Sequence, residues 1–193
     1  MRNLRSYYSS EIEDFLNKSD SEILGIIYKN DASAETKIQQ SNNWEMEISI
    51  LKKQLVDFNN GRIIFEYTIP RMGKRVDVII LYQNIVFILE FKCGDDEYKS
   101  STYDQVYDYA LDLRNFQKES HNKLIVPIMI STNAVALELI IKECSRIIEP
   151  IKCNSNNIAE AIKYVSGQYL EAVFDYFEWE NSEYLLTSTI IEA

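Results

Sequence analysis

The chain has 193 residues, 46% hydrophobic and 26% charged, the balance of one globular domain able to bury a single sizeable core. Its apolar runs are too short and interrupted for a membrane span, and its start, MRNLRSYYSSEIEDF, lacks a secretory apolar segment, so a cytoplasmic location is expected. A net charge of −10, a single histidine (His121) and three cysteines without paired zinc spacing (Cys93, Cys144, Cys153) argue against a strongly basic nucleic-acid coat, a histidine-rich metal site and a Ser-His-Asp triad.

In chain order, residues 11–30 predict one or two helices, with Phe15, Ile23, Leu24, Ile26 and Ile27 forming an N-terminal cover. Residues 41–58 predict a helix whose apolar stripe is Trp44, Ile48, Leu51, Leu55 and Phe58, capped near Ser41. Glu47 falls at the edge of that stripe, where a carboxylate can reach over a sheet, whereas Glu45 projects away. Three strands follow, at 62–69, 75–82 and 85–92, rich in β-branched and large apolar residues. Residues 102–118 predict a helix burying Val106, Tyr109, Ala110, Leu113 and Phe116, with Gln105 four residues before Tyr109 on its border. Residues 124–131 predict a buried strand reached by a crossover through that helix. Residues 134–145 read as a helix, 147–153 as an edge strand marked by Pro150, and 157–178 as a helix rich in aromatics.

The chemistry concentrates between Arg75 and Lys92. Folding VDVIILYQNIVFILEF into a hairpin at Tyr82-Gln83-Asn84 sets Asp77 opposite Glu90, Ile79 opposite Ile88 and Arg75 opposite Lys92. Asp77, Glu90 and Lys92 then converge at one end of one sheet face, in a register that the turn itself, lacking Asn-Gly, does not pin. Two carboxylates that close repel unless a positive charge lies between them. Hard oxygen ligands suit Mg²⁺ or Mn²⁺, and a neighbouring lysine can lower the pKa of an attacking water or neutralise a phosphorane, which together point to phosphodiester hydrolysis. Arg71, Lys74, Arg75, Lys92 and Lys99 form a local cationic group, and the Arg71–Arg75 turn is expected to touch backbone phosphate. The acid is concentrated elsewhere: residues 156–193 hold seven acidic residues and one basic. Tyr164, Tyr169, Phe174, Tyr176 and Phe177 read as core or a docking face, with base stacking the alternative.

Asp77, Glu90-Phe91-Lys92 and Gln105-x-x-x-Tyr109, set in this element order, resemble the PD-(D/E)xK nuclease superfamily and its RecB-like Gln-x-x-x-Tyr branch; Val76 stands where the name has Pro. The resemblance covers about residues 41–131. It implies an α/β fold with a restriction-endonuclease-like αβββαβ core, a mixed central sheet flanked by helices, and extra N- and C-terminal helices. It also implies that Asp77, Glu90, the Phe91 carbonyl and Glu47 bind metal, that Lys92 positions or activates water, and that Gln105 and Tyr109 touch substrate or support the site. The segments SNNWEMEISILKKQL, GKRVDVIILYQNIVFILEFKCG, QVYDYALDLRNF and WENSEYLLTSTIIEA further resemble the N-terminal nuclease region of bacterial nuclease–superfamily 1 helicase proteins. On this reading residues 1–193 form one nuclease domain: a helical cover (1–40), the core (41–131), a C-terminal α/β extension (132–178) and a junction toward a following helicase (179–193). No Gly-x-x-x-x-Gly-Lys-Ser/Thr loop is present, so the ATPase would be a fused or separate partner. Nucleic acid, DNA before RNA, is the implied substrate, in phage defence or repair, and homo-oligomers are compatible with it. The alternatives are a catalytically silent domain of the same fold that docks a partner, and an RNA- or tRNA-cleaving enzyme.

Overall fold

The computed structural model describes residues 5–31 and 38–185. The chain runs β1 (Tyr8–Glu11), α1 (Ile12–Asn17), α2 (Asp20–Asn30), α3 (Ile38–Gln54), β2 (Arg62–Ile69), β3 (Lys74–Tyr82), β4 (Ile85–Lys92), α4 (Ser100–Phe116), a 3₁₀ turn, β5 (Leu124–Ser131), β6 (Glu143–Cys144), β7 (Ile147–Ile148), β8 (Ile151–Cys153), α5 (Ile158–Gln168) and α6 (Tyr176–Glu180). It is an α/β architecture built on one eight-stranded mixed sheet, ordered β1-β2-β3-β4-β5-β7-β6, with β8 also pairing β5. The pairs from β1 to β4 are antiparallel, whereas β5 runs parallel to β4, β7 and β8.

Helices cover both faces. On one, Ile12, Phe15, Ile23, Ile27, Trp44, Ile48, Leu51, Ile158, Ile162 and Val165 of α1, α2, α3 and α5 pack against Phe65, Val78, Ile80, Phe87 and Leu89. On the other, Val106, Tyr109, Ala110 and Leu113 of α4 and Trp179 of α6 pack against Ile64, Tyr67, Ile79, Leu81, Val86 and Ile88. Burial on both faces explains why β4 and β5 read as unbroken apolar runs.

The second core is closed by a buried ring of hydrogen bonds. Trp179 donates from Nε1 to Ser120 Oγ at 2.9 Å, and Ser120 donates to Gln117 Oε1 at 2.7 Å. The Gln117 amide nitrogen donates to Tyr67 Oη at 3.0 Å and to the Trp179 carbonyl at 2.9 Å. Residues 179–185 are therefore laced onto this domain, with Leu185 N–H donating to the Phe116 carbonyl at 2.6 Å. Residues 186–193 of the expected junction lie outside the described residues, as do 1–4 and 32–37 of the expected cover.

Several expectations need correction. Residues 134–145 are not a helix; they run irregularly to β6, with Val135 and Ile140 exposed. Leu139 and Ile141 pack on the α3-side core while Ile140 between them is exposed, the every-other-residue burial of an extended chain rather than the stripe of a helix. The strand over 147–153 is split into β7 and β8, both parallel to β5, around Glu149-Pro150. The interruption spans Pro127 of β5, which has no N–H to give a ladder. The helix over 157–178 stops at Gln168, and α6 restarts only where Asp175 accepts from Phe177 and Glu178 N–H at 2.9 Å each. Helix α3 ends at Gln54, four residues before the expected Phe58, although Leu55 and Phe58 remain buried. Strand β1, Tyr-Ser-Ser-Glu, is too short and polar to show as a strand; it is held by pairing with β2. Among the described residues no helix is long and apolar enough to cross a membrane.

Candidate active site

The hairpin register is the expected one from Tyr82↔Ile85 up to Val78↔Leu89, across a two-residue connection in which Gln83 takes a positive φ of 53°. The expected pairs Asp77–Glu90 and Arg75–Lys92 do not join the ladder. Instead Asp77 Oδ2 accepts the Phe91 N–H at 2.7 Å, the side chain replacing a backbone partner. On its other flank, β3 pairs Val78 with Phe65 and Val76 with Tyr67, leaving Asp77 and Glu66 unpaired between them. Both strands change phase here. Phe65 and Val78 face the α3 layer, yet Ile64, Tyr67, Val76 and Ile79 all face the α4 layer. Strict alternation would have sent Tyr67 and Val76 to the α3 side. Glu66, with φ of 55°, carries the inversion in β2. The sheet is therefore open around Asp77, and groups from both helical layers meet there.

Groups from α3 and the strands line one cavity of about 560 Å³, among them Trp44, Glu47, Glu66, Asp77, Glu90, Lys92, Cys93, Asp95 and Lys99, and α4 joins it through Gln105 on Glu90. Lys92 Nζ donates to Glu90 Oε1 at 2.8 Å and sits 3.4 Å from Gln105 Oε1. The Gln105 amide nitrogen donates to the same Glu90 oxygen at 2.7 Å and to Tyr109 Oη at 2.8 Å. Gln105 thus uses both ends of its amide, one on each partner of the ion pair. That network fixes which end is nitrogen. Glu47, expected at the edge of its helix stripe, is only 4% exposed and reaches the cavity from α3.

The electrostatics are those of crowded, desolvated acids. Burial first, then Asp77, Glu66 and Glu90, push the Glu47 carboxyl well above its ordinary value. Burial, then Glu90 and Glu66, do the same to Asp77 despite the Phe91 hydrogen bond. Burial also raises Glu90, with Lys92 and Gln105 pulling it back. Burial lifts Glu66 against the opposing pull of Trp44 and Arg75. For Lys92, burial disfavours the ammonium, but Glu90, Asp77 and Asp95 outweigh it, so the lysine stays charged. Burial pushes the Cys93 thiol and the Tyr109 phenol up to about 12, so neither ionises near neutrality.

Glu47 Oε2 and Glu90 Oε2 are buried and accept no hydrogen bond. Buried carboxylate oxygens left bare are costly, and hard oxygen donors of this kind fit a divalent cation. As the side chains stand, no three Asp, Glu, His or Cys groups among the described residues are gathered closely enough to hold one. Three of the four acids are occupied separately: Asp77 on Phe91, Glu90 on Lys92 and Gln105, and Glu66 on Trp44 Nε1 at 2.8 Å.

The basic turn is more dispersed than expected. The Arg71 guanidinium lies 3.9 Å from the Phe116 ring centroid and that of Arg75 4.4 Å from the Tyr7 ring, on different neighbours. Arg71, Lys74 and Arg75 are exposed and none lines the cavity. Lys99 is paired with Asp95 at 2.7 Å. Sequence reasoning missed Glu66 and Trp44 as cavity residues. The available signal was an acid placed inside the apolar strand Ile63-Ile64-Phe65-Glu66-Tyr67. The late aromatics divide: Phe177 and Tyr164 are exposed, while Phe174 and Tyr176 meet edge to face at 5.1 Å against the α4-side core, Tyr176 donating to the Gln83 carbonyl at 2.9 Å. The chain matches no family model, no curated protein and no solved structure.

Proposed function

We propose that this cavity is the active site of a metal-dependent phosphodiesterase of PD-(D/E)xK type, a nuclease using Mg²⁺ or Mn²⁺ on nucleic acid, DNA in preference to RNA, with a restriction-endonuclease-like core in α3, β2–β4, α4 and β5. One observation carries the reading: Asp77, Glu90, Lys92 and Glu47, drawn from three elements, line the same cavity. Asp77, Glu90, the Phe91 carbonyl and Glu47 would hold the metal, and the bare Glu47 and Glu90 oxygens fit that role. Bound there, the ion supplies a Lewis acid for the phosphate and acidifies a water.

The protein's own groups do the rest. Lys92, held on Glu90 at 2.8 Å, stands where it can orient the attacking water and offset charge building on the phosphate. Gln105 holds both Lys92 and Glu90, and Tyr109 holds Gln105. Arg71, Lys74 and Arg75 would meet flanking phosphates outside the cavity. A fused or associated superfamily 1 helicase would supply the grip that a chain of net charge −10 lacks.

A silent docking domain is the second reading, favoured by that acidity and by acids that stand apart rather than closed around an ion. Cleavage of linear, circular and single-stranded DNA and of RNA, with Mg²⁺, Mn²⁺ or EDTA, decides between them. Metal-dependent cutting that disappears in Asp77→Ala and Lys92→Ala supports the nuclease. Cutting retained in Lys92→Ala would sink the mechanism, and cutting of RNA alone would reassign the substrate.

A further inference from the structure

Glu66 is an acid in a costly place. Its side chain is only 8% exposed, and its carboxylate accepts a hydrogen bond from Trp44 Nε1. Its φ of 55° lies in the left-handed region, which a glutamate rarely adopts. The strain has a visible result: it inverts the alternation of β2 and turns this carboxylate into the cavity opposite Asp77 instead of leaving it in the ladder. A strand that merely needed an acceptor for Trp44 would not require a break in register. The formal charges on the wall are four negative, from Glu47, Glu66, Asp77 and Glu90, and one positive, from Lys92. Lys99 is already committed to Asp95.

The geometry points to Glu66 as a further ligand of a divalent cation in this cavity, passing from Trp44 to the ion when the ion enters. The inference rests on the metal-dependent reading above and extends it to a residue outside the Asp-Glu-Lys set. The bare, buried oxygens of Glu47 and Glu90 independently mark the cavity as one that expects a cation. Because Trp44 holds Glu66 in the present arrangement, its indole loses a charged partner as the ion binds, and its emission reports the exchange.

The test is Mn²⁺ titration by calorimetry on EDTA-stripped full chain, with Glu66→Gln, Trp44→Phe and Asp77→Asn. Glu66→Gln keeps an oxygen to accept from Trp44 and removes the charge. It is expected to weaken Mn²⁺ at least tenfold, whereas Trp44→Phe, which frees Glu66, binds Mn²⁺ at least as tightly as the wild type. Addition of Mg²⁺ is expected to shift tryptophan emission in the wild type and not in Trp44→Phe. Unchanged Mn²⁺ affinity in Glu66→Gln, with binding lost in Asp77→Asn, would overturn the role of Glu66 and leave the nuclease reading standing. Emission unmoved by Mg²⁺ in a protein that binds it would overturn the exchange with Trp44. A wild-type chain that binds no Mn²⁺ removes both readings together.

Discussion

Removing Lys92 should cost stability in a way that depends on pH, and the size follows from Glu90. Glu90 is 3% exposed, one oxygen accepts from Lys92 and Gln105, and the other accepts nothing. In Lys92→Ala its charge loses the only cation that touches it among the described residues. A buried carboxylate has an escape: it takes a proton, at a cost of about 1.4 kcal/mol per pH unit above its ordinary value of 4.5. The penalty therefore cannot exceed about 3.4 kcal/mol at pH 7 or about 0.7 kcal/mol at pH 5. Since burial already raises Glu90 in the intact protein, part of that ceiling is spent, and the loss at pH 7 falls below it. For a chain of this size the ceiling itself corresponds to about 7–14 °C in melting temperature. The assay is urea unfolding followed by circular dichroism in EDTA at both pH values, with Glu90→Gln and the double variant completing a cycle. Equal losses at pH 7 and pH 5, or a double variant no more stable than Lys92→Ala, would refute the assignment of Glu90 as the group that Lys92 neutralises.

Glu47 and Asp77 bind protons more tightly folded than unfolded, so the stability they contribute is complete below the ordinary carboxylate range and drains away as pH rises through their raised values. In EDTA the melting temperature should thus fall as pH climbs from 4 toward neutrality; a Glu47→Gln/Asp77→Asn double variant should flatten that fall, and a flat wild-type profile would contradict the electrostatics described. Gln105→Ala should cut cleavage by about 10–100-fold while Mn²⁺ binding persists, because it orients the ion pair without being a ligand; single-turnover rates beside calorimetry separate the two effects. Trp179→Ala should destabilise the fold by about 3–5 kcal/mol, as Trp179 is fully buried and anchors the Ser120–Gln117–Tyr67 ring. If Arg71, Lys74 and Arg75 contact phosphate, replacing all three by Ala should flatten the dependence of nucleic-acid affinity on salt by about three counterions, read from binding isotherms at several salt concentrations.

The strands and helices from α3 to β5 were legible because each is long, strongly apolar and periodic, and the register of β3 against β4 followed from matching apolar positions around Gln83-Asn84. Gln105 and Tyr109 were legible from helical spacing alone, and the hydrogen bond between them is direct. What was not legible depended on chain reversal in three dimensions. The span 134–145 carries helix-like apolar spacing, but only Leu139 and Ile141 find the core, on alternate residues of an extended chain. Glu66 was missed because reading a strand by alternation assumes unbroken alternation, and the inversion at Glu66 and Asp77 is a backbone event that side-chain pattern does not announce. Arg71 and Arg75 were read as one basic turn, although the rings of Phe116 and Tyr7, distant in sequence, draw them apart.

The ring that Trp179 closes has a consequence for synthesis. Tyr67, Gln117 and Ser120 leave the ribosome well before the indole that completes their hydrogen bonds. At roughly 5–20 residues per second, the wait from Tyr67 to Trp179 is about 5–20 s. During that interval the α4 side of the sheet lacks its plug, with Tyr67 and Gln117 open to solvent or to chaperones. The nascent chain should therefore remain protease-sensitive at the Gln117–Ser120 turn until residue 179 has emerged, so that maturation of this domain is timed from its far end.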